Sequence, residues 1–486
     1  MMNDQVSVSE YLIVKGELKL ESPLIIGGGE TKGADTDIVV VKDEQGRPYI
    51  PGSSLTGSLR SYFYNKALWE DSVNESERKN IYFWGGSYFT KDYTKKQSDE
   101  LIHFNVKSAV SISDALLIDS KAPILVRDGI KIDSTRGIVE KEAKFDYEIV
   151  EPGARFGFQM TIKNREMFDA DFIISTIAFL IDALQTGQIS LGAMNTKGFG
   201  RVKLDDWHFY RFDMSNKGHI CAWLDPESAD WPKEHLDTDR AFKKEEDGLK
   251  ITASFLIKNS LIIGSYNDKP QAPDKAHIMS NGRHILPGTS LKGAIRSRAE
   301  KIVNTLGGSP EWLNDLFGVV DKKDKNRKKS RLRVEETEIN NVVEEIQKQI
   351  RIDRFTGGTI KNALFDSMPL WADSTIDDLS MVQINLSLDR LTRSKNYEPW
   401  EAGLLLLVLK DIWTGDLAIG GDKGIGRGVL QGLNAEIFLG NERFALDSKP
   451  DRRLTIQGDA GHLENCVKEL VGKCRARGRD NADGKI

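Results

Sequence analysis

The chain has 486 residues, 39% hydrophobic and 29% charged, with a formal net charge of −5. It is long enough for two or more cored domains, and it is not a polycation that could grip nucleic acid by bulk charge, so such a role needs basic residues gathered on one face. The three cysteines, Cys221, Cys466 and Cys474, show no CxxC spacing, which argues against a zinc site or a disulfide framework and for a reducing, cytoplasmic setting.

From the N-terminus, MMNDQVSVSEYLIVKGELKLE lacks the basic region and apolar run of a signal peptide. No run of about 18 apolar residues follows anywhere, so no membrane span is expected. LKLESPLIIGGG (18–29) alternates like a strand and ends in glycines. Within residues 27–52 lie Asp35, Asp37 and Asp43; Asp43 sits in the turn sequence DEQG, while Asp37 precedes IVVV. At 51–60, PGSSLTGSLR stops a strand at Pro51-Gly52, offers Ser53 or Ser54 as a cap, and opens a helix with apolar residues at helical spacing. FWGG (83–86), IKIDSTRGIVEKEAKFD (130–146), the apolar helix ending in LIDALQTGQISLG (180–192) and the loop TKGFGRV (196–202) complete this half.

The same series then recurs in the same order. TASFLIKNSLIIGS (252–265), PGTSLKGAIR (287–296), LFG (316–318), IRIDRFTGGTIKNALFD (350–366), LKDIWTGDLAIGG (409–421) and DKGIGRG (422–428) repeat it. Ordered recurrence means duplication. The expected division is a first domain at 1–212, a polar linker at 213–247, a second domain at 248–445 and a polar, fraying tail at 446–486. AGLLLLVLKDIW (402–413), interrupted by Lys410 and Asp411, predicts a buried helix. Strands and helices mix without strict alternation, so each half is expected to be α+β, an antiparallel sheet backed by helices; a split βαβ, ferredoxin-like unit accommodates the order.

Both helix starts suit a phosphate, because a helix N-terminus presents free N–H groups and partial positive charge. Gly52, Ser53, Ser54 and Arg60, with Gly288, Thr289, Ser290, Lys292 and Arg296, are the candidate contacts, an ordinary capped helix being the alternative. The loops Lys197-Gly198-Phe199-Gly200-Arg201 and Lys423-Gly424-Ile425-Gly426-Arg427 share a Lys-Gly-apolar-Gly-Arg pattern that also suits a polyanion backbone, or else a tight turn. Neither is a Walker loop or a Rossmann fingerprint. The basic run DKKDKNRKKSRLR (321–333) is a further candidate arm or a solvated loop. Asp37, beside a glycine-rich arm, could hold a divalent metal or accept a hydroxyl proton. The seven histidines show no metal spacing, and no Ser-His-Asp arrangement can be argued.

Taken together, Asp37, IVVVKD, RPYIPGSSLTGSLR, IKID, FDYE and LGAMNTKGFGRV, with their second-half counterparts, resemble the RAMP superfamily of CRISPR-associated proteins. The likeness is strongest to the backbone subunits of type III effector complexes, here as a tandem fusion like those of type III-D. The resemblance implies modified RNA-recognition-motif domains stacked along a CRISPR guide RNA. It makes 133–145 and 353–365 thumb hairpins that kink the guide–target duplex, and it implies complementary target RNA and other effector subunits as partners. It also implies target-RNA cleavage at Asp37 with a divalent metal, usually magnesium, and at Asp274 in the second half, where Pro273 precedes it and Met279-Ser280 replace Lys42-Asp43. A non-catalytic, RNA-positioning backbone subunit is the alternative.

Overall fold

In the first strand, VSEYLIVKGELKL, Leu12, Val14, Leu18 and Leu20 are buried on one side, as a pleated strand with a face on a core requires, and Ile13 is buried on the other. The structure, a computed structural model, describes residues 7–28, 36–68, 73–91, 101–119, 122–133, 139–165, 169–225, 230–246, 248–265, 272–320, 327–373, 380–390, 397–449 and 454–483. They fall into two compact units: Met1–Leu125 with Glu148–Ala193 and Gly200–Glu246, and Val126–Tyr147 with Met194–Phe199 and Asp247–Ile486. Two pieces of the first repeat, the outer part of a hairpin and a glycine loop, are therefore counted with the second repeat.

In chain order the first repeat contributes β1 (Val8–Leu20), α1 (Gly52–Lys66), β2 (Val110–Ile112), β3 (Ile124–Ile132), β4 (Val139–Val150), β5 (Arg155–Arg165), α2 (Ala170–Gln185) and β6 (Val202–Asp213). Then come α3 (Lys217–Leu224) and β7 (Lys233–Glu234). The first unit's sheet is antiparallel in the order β7-β6-β1-β5-β2. Leu55, Leu59 and Phe63 of α1 and Ile177, Leu180 and Leu184 of α2 share one core with the inward side of that sheet.

The second repeat contributes β8 (Leu249–Ile257), β9 (Lys275–His277), α4 (Gly288–Thr305), β10 (Leu332–Val334), β11 (Gln347–Ile352), β12 (Thr359–Met368), β13 (Met381–Leu388), α5 (Pro399–Trp413) and β14 (Leu430–Leu439). Beyond them lie β15 (Glu442–Ser448), β16 (Leu454–Gln457) and α6 (Ala460–Asp483). The sheet order is β10-β13-β8-β14-β15-β16, again antiparallel. Second, third, first, fourth: four strands from one edge of each sheet follow the same plan, β2-β5-β1-β6 and β10-β13-β8-β14.

Two expectations need correction. The polar 213–247 segment is not a bare linker. Asn216 caps α3 by accepting from Gly218 N and His219 N, and Trp223 stacks on Tyr11 at 4.6 Å. Trp231 packs on Tyr210 and Phe212, with the Lys15 ammonium 3.7 Å from its ring centroid. Scattered tryptophans, not a period, fasten this segment over the sheet face away from α1 and α2. Nor does the tail fray from 446: β15 and β16 extend the sheet, and α6 buries Leu463, Cys466, Leu470 and Cys474. Those four lie at helical spacing, and Gly403 of α5 lets α6 close in, since a Cβ there would overlap the Cys466 carbonyl. Deleting residues 460–486 should lower stability by about 5 kcal/mol, at roughly 1.5–3 kcal/mol for each large buried side chain. Urea titration of the two forms checks this, and equal midpoints would refute the packing role.

Candidate nucleic-acid interface

Both helix starts follow a proline, yet neither has a side-chain cap, so Ser53, Ser54, Thr289 and Ser290 do not play that part. Instead Gly52 N donates to Asp114 Oδ1 at 2.7 Å. The first helix start thus already holds a carboxylate where a phosphate was expected. Close approach explains the glycines: a Cβ on Gly52 would overlap the Ile112 carbonyl, and one on Gly288 would meet the carbonyls of Val334 and Lys197. Ser53 and Arg60 are exposed, while Ser54, Thr289, Ser290 and Arg296 are half-buried. Arg60 lies over the Tyr64 ring; Arg296 pairs with Glu300 at 3.0 Å.

The glycine loops align differently in space than in sequence. Gly192 and Gly420 both have positive φ and abut the carbonyls of Ile25 and Ile262; Gly200 and Gly428 abut those of Leu191 and Ile419. Met194 and Asp422 are both left-handed, and the turns Asn195–Lys197 and Lys423–Ile425 follow them. Lys197 therefore stands opposite Ile425, Gly198 opposite Gly426 and Phe199 opposite Arg427. The shared Lys-Gly-apolar-Gly-Arg string is out of register by two residues, and the geometry, not the letters, is what was duplicated.

Phe199 and Arg427 occupy one equivalent buried spot, 1% and 3% exposed. Phe199 packs between Tyr147 and the Arg127 guanidinium. Arg427 donates to Ser367, Gln347 and Asp422. Both are structural, which removes them as backbone contacts. Arg201 is paired with Glu21 at 3.2 Å.

Lys292 is corrected as well. Its ammonium donates to Thr196 O at 3.1 Å, Ser330 Oγ at 2.7 Å and Leu332 O at 2.6 Å, and all three protons are thereby used. Burial, with like charge from Lys197, Arg296 and Arg333, lowers its pKa to about 7. Burial, then Arg296, also pulls Lys197 below the usual lysine range. Four cations thus crowd the start of α4, a potential that a polyanion would relieve.

Asp37 is exposed, one residue before a segment pinned to the base of the hairpin: Glu148 N donates to Ile38 O at 2.8 Å, and the Glu148 carboxylate accepts from Val40 N at 3.0 Å and pairs with Lys42 at 3.0 Å. Asp274, also exposed, precedes β9, which runs parallel to the base of β12 through Lys275 and Ser367. Its Oδ2 accepts from Asp366 N at 2.9 Å. Sequence reasoning missed Glu148, because Met368 stands at the matching place in the second hairpin. Asp43 is a turn residue, its carboxyl held below the usual range by Arg47 N first, then by the Arg47 guanidinium and Gln45 N. Asp35 and 321–326 of the basic run lie outside the described residues. His277, whose pKa burial lowers to about 4, accepts from Ile263 N at 3.2 Å and so is a neutral packing residue. No group of three His, Cys, Asp or Glu side chains suited to a metal occurs among the described residues.

The second hairpin, β11 and β12, exposes Ile350, Ile352 and Leu364, and Phe355 at its turn is 99% exposed. The register makes a sharp contrast. Gly428→Ala, at φ +78 against a carbonyl, should cost about 2–4 kcal/mol. Gly424→Ala, with open space around it, should stay within about 0.5 kcal/mol. Thermal denaturation of both variants checks this, and a comparable loss at Gly424 would restore the sequence register.

The sequence model of the RAMP superfamily matches residues 17–203 and 256–431. Over 204 residues the chain is 25% identical to "CRISPR system Cms endoribonuclease Csm3" of Streptococcus thermophilus, covering 39% of this chain and 84% of that protein. The protein of the same name from Methanocaldococcus jannaschii is 25% identical over 258 residues, covering 50% and 91%. "CRISPR system Cms protein Csm5" of S. thermophilus is 37% identical over 95 residues, 18% and 24% of the two chains.

Proposed function

Because the chain belongs to the RAMP superfamily, matched once in each repeat, we propose that it is a backbone subunit of a type III CRISPR effector complex that binds guide RNA and cleaves target RNA paired to it. Relatives carrying the name endoribonuclease align over most of their length. The shared strand order, with two helices on one face, supports a modified ferredoxin-like or RNA-recognition-motif domain in each repeat. The hairpins β3/β4 and β11/β12 are read as thumbs; exposed apolar side chains ending in Phe355 suit a wedge between bases.

The guide backbone would run past Ser53, Ser54 and Arg60 in the first unit, and past Lys197, Thr289, Ser290 and Arg296 in the second. The exposed Lys423 and Gly424, with Gly426, remain as further contacts. These would grip phosphates and leave bases unread, as a variable guide requires.

The observation that carries the cleavage reading is the equivalent placement of two exposed carboxylates, Asp37 and Asp274, each at the base of a hairpin. In the proposed step the carboxylate takes the proton of a displaced nucleotide's 2′-hydroxyl. The oxygen attacks the adjacent phosphorus, the P–O5′ bond breaks, and the 5′-oxygen leaves with a proton, giving a 2′,3′-cyclic phosphate. Magnesium, when bound, would neutralise the phosphate charge. Among the described residues, Asp37 would be the carboxylate that holds it, with RNA oxygens and water as further ligands, as that ion accepts. Asp274 spends one oxygen on Asp366 N, and Met279-Ser280 stand where Lys42-Asp43 do in the first repeat, which makes Asp274 the weaker cutting site.

In the assembled complex, Asp37→Ala should slow cutting at its position by about 10²-fold or more while guide binding is kept. Asp274→Ala should do the same at a second position, less severely. Mapping of target-RNA fragments checks both, and undiminished cutting by the double variant would leave only the RNA-positioning role.

A further inference from the structure

The two repeats hold the backbone behind their carboxylates in different ways. Gly27 bridges Val40 as Gly264 pairs with His277, and Val41 N donates to Ile26 O as Ile278 N does to Ile263 O, both at 2.9 Å. Lys42 bridges Pro48 as Met279 pairs with His284. These contacts fix the register. Asp37 matches Asp274, and Lys42 matches Met279. At the hairpin base Glu148 matches Met368, which pairs with Ala276.

In the first repeat three contacts converge on Glu148. Its N–H donates to Ile38 O at 2.8 Å, one residue past Asp37. Its Oε2 accepts from Val40 N at 3.0 Å and lies 3.0 Å from the Lys42 ammonium. Both side chains are partly shielded, 31% and 17% exposed, so this charge-assisted contact is stronger than an ion pair on open surface. In the second repeat both ends are methionine, and neither Met279 nor Met368 carries a charge or a strong acceptor. A pair replaced at both ends at once has a joint task. Where it is missing, the cutting group itself becomes the tie: Asp274 Oδ2 accepts from Asp366 N at 2.9 Å.

We infer that Glu148 and Lys42 are a positioning pair for cutting at Asp37. Glu148 fixes the backbone from Ile38 to Lys42 and so sets where the Asp37 carboxylate stands. Its own carboxylate is committed to Val40 N and Lys42, and it acts through that backbone rather than on the RNA. Lys42 in turn holds Glu148 in the conformation that reaches Val40 N. Misplacing a reacting group by about 1 Å costs on the order of 10²-fold in rate, so loosening this tie by part of that distance should cost about tenfold.

The inference rests on the proposed cleavage at Asp37, and the two are tested apart. In the assembled complex, single-turnover cutting is followed at both positions of one target RNA, the second position serving as the internal standard. Glu148→Met takes the residue type that the second repeat carries at that place. It should slow the first position about tenfold and leave the half-saturating target concentration and the second position unchanged. Glu148→Gln keeps an acceptor for Val40 N and should recover most of the loss. Lys42→Met alone should slow the first position about threefold and add nothing to Glu148→Met, as partners in one contact do. Lys42→Met carries the test if Glu148→Met loses its cooperative thermal transition. In the free chain, hydrogen exchange at residues 38–42 should quicken in Glu148→Met and return towards the unaltered rate in Glu148→Gln. Unchanged exchange, undiminished first-position cutting, or losses at Lys42 and Glu148 that multiply would overturn this inference alone. An unaltered complex that cuts at neither position would overturn the cleavage reading and this inference with it.

Discussion

One close approach organises the second unit. Gly288 is pinched between the carbonyls of Val334 and Lys197, and four residues on, the Lys292 ammonium ties Thr196, Ser330 and Leu332 together. A side chain at Gly288 would force the loop or the β10 strand away, and the lysine would then be a buried cation without its acceptors, which is far costlier than losing an ordinary hydrogen bond. The glycine and the lysine thus stand or fall together. The proline ahead of them fixes the chain's direction into the helix, so the decapeptide is a docking device before it is anything else.

That constraint explains why the decapeptide was legible and why its first reading was incomplete. Repeated Pro-Gly and a repeated helix could be read directly, and so could the α+β plan, because alternation in β1 and β8 and the apolar stripes of α2 and α5 are local patterns. What the glycines face could not be read. A glycine needed for a phosphate and one needed for a carbonyl look identical in a sequence, and here a carbonyl accounts for Gly52, Gly288, Gly200 and Gly428, and the backbone at Glu336 N for Gly198. The tail and the 213–247 segment were misjudged for a related reason: Trp223, Trp231, Leu463 and Leu470 find their partners far along the chain, and polarity between them hides it.

The glycine loops teach a narrower lesson about duplication. Matching letters placed Lys423 opposite Lys197, whereas φ angles and carbonyl contacts place Ile425 there. The buried spot behind the loop confirms the spatial register through its chemistry. Arg127, Tyr147 and Phe199 fill it in the first repeat, and Gln347, Ser367 and Arg427 fill it in the second. The cation has moved from hairpin to loop, and the ring it lay beside has gone with its partner. Such an exchange keeps a buried, paired cation while changing every residue, so no residue-by-residue comparison reveals it.

These facts divide the candidate site by role. Side chains whose donors are spent inside the protein, Lys292 and Arg427 above all, hold the scaffold, and a passing phosphate cannot compete for them. What remains for a ligand is the outward layer: the hydroxyls and arginines along α1 and α4, Lys197 with no carboxylate paired to it among the described residues, and the carboxylates of Asp37 and Asp274 at the hairpin bases. Lys197 shows why the layers depend on each other. It is held near Arg296 and Lys292 by the very contacts that seat its loop, so the protein stores like-charge repulsion at that helix start. An RNA backbone laid there would meet a preformed cationic strip, and the scaffold residues beneath are what keep that strip in place.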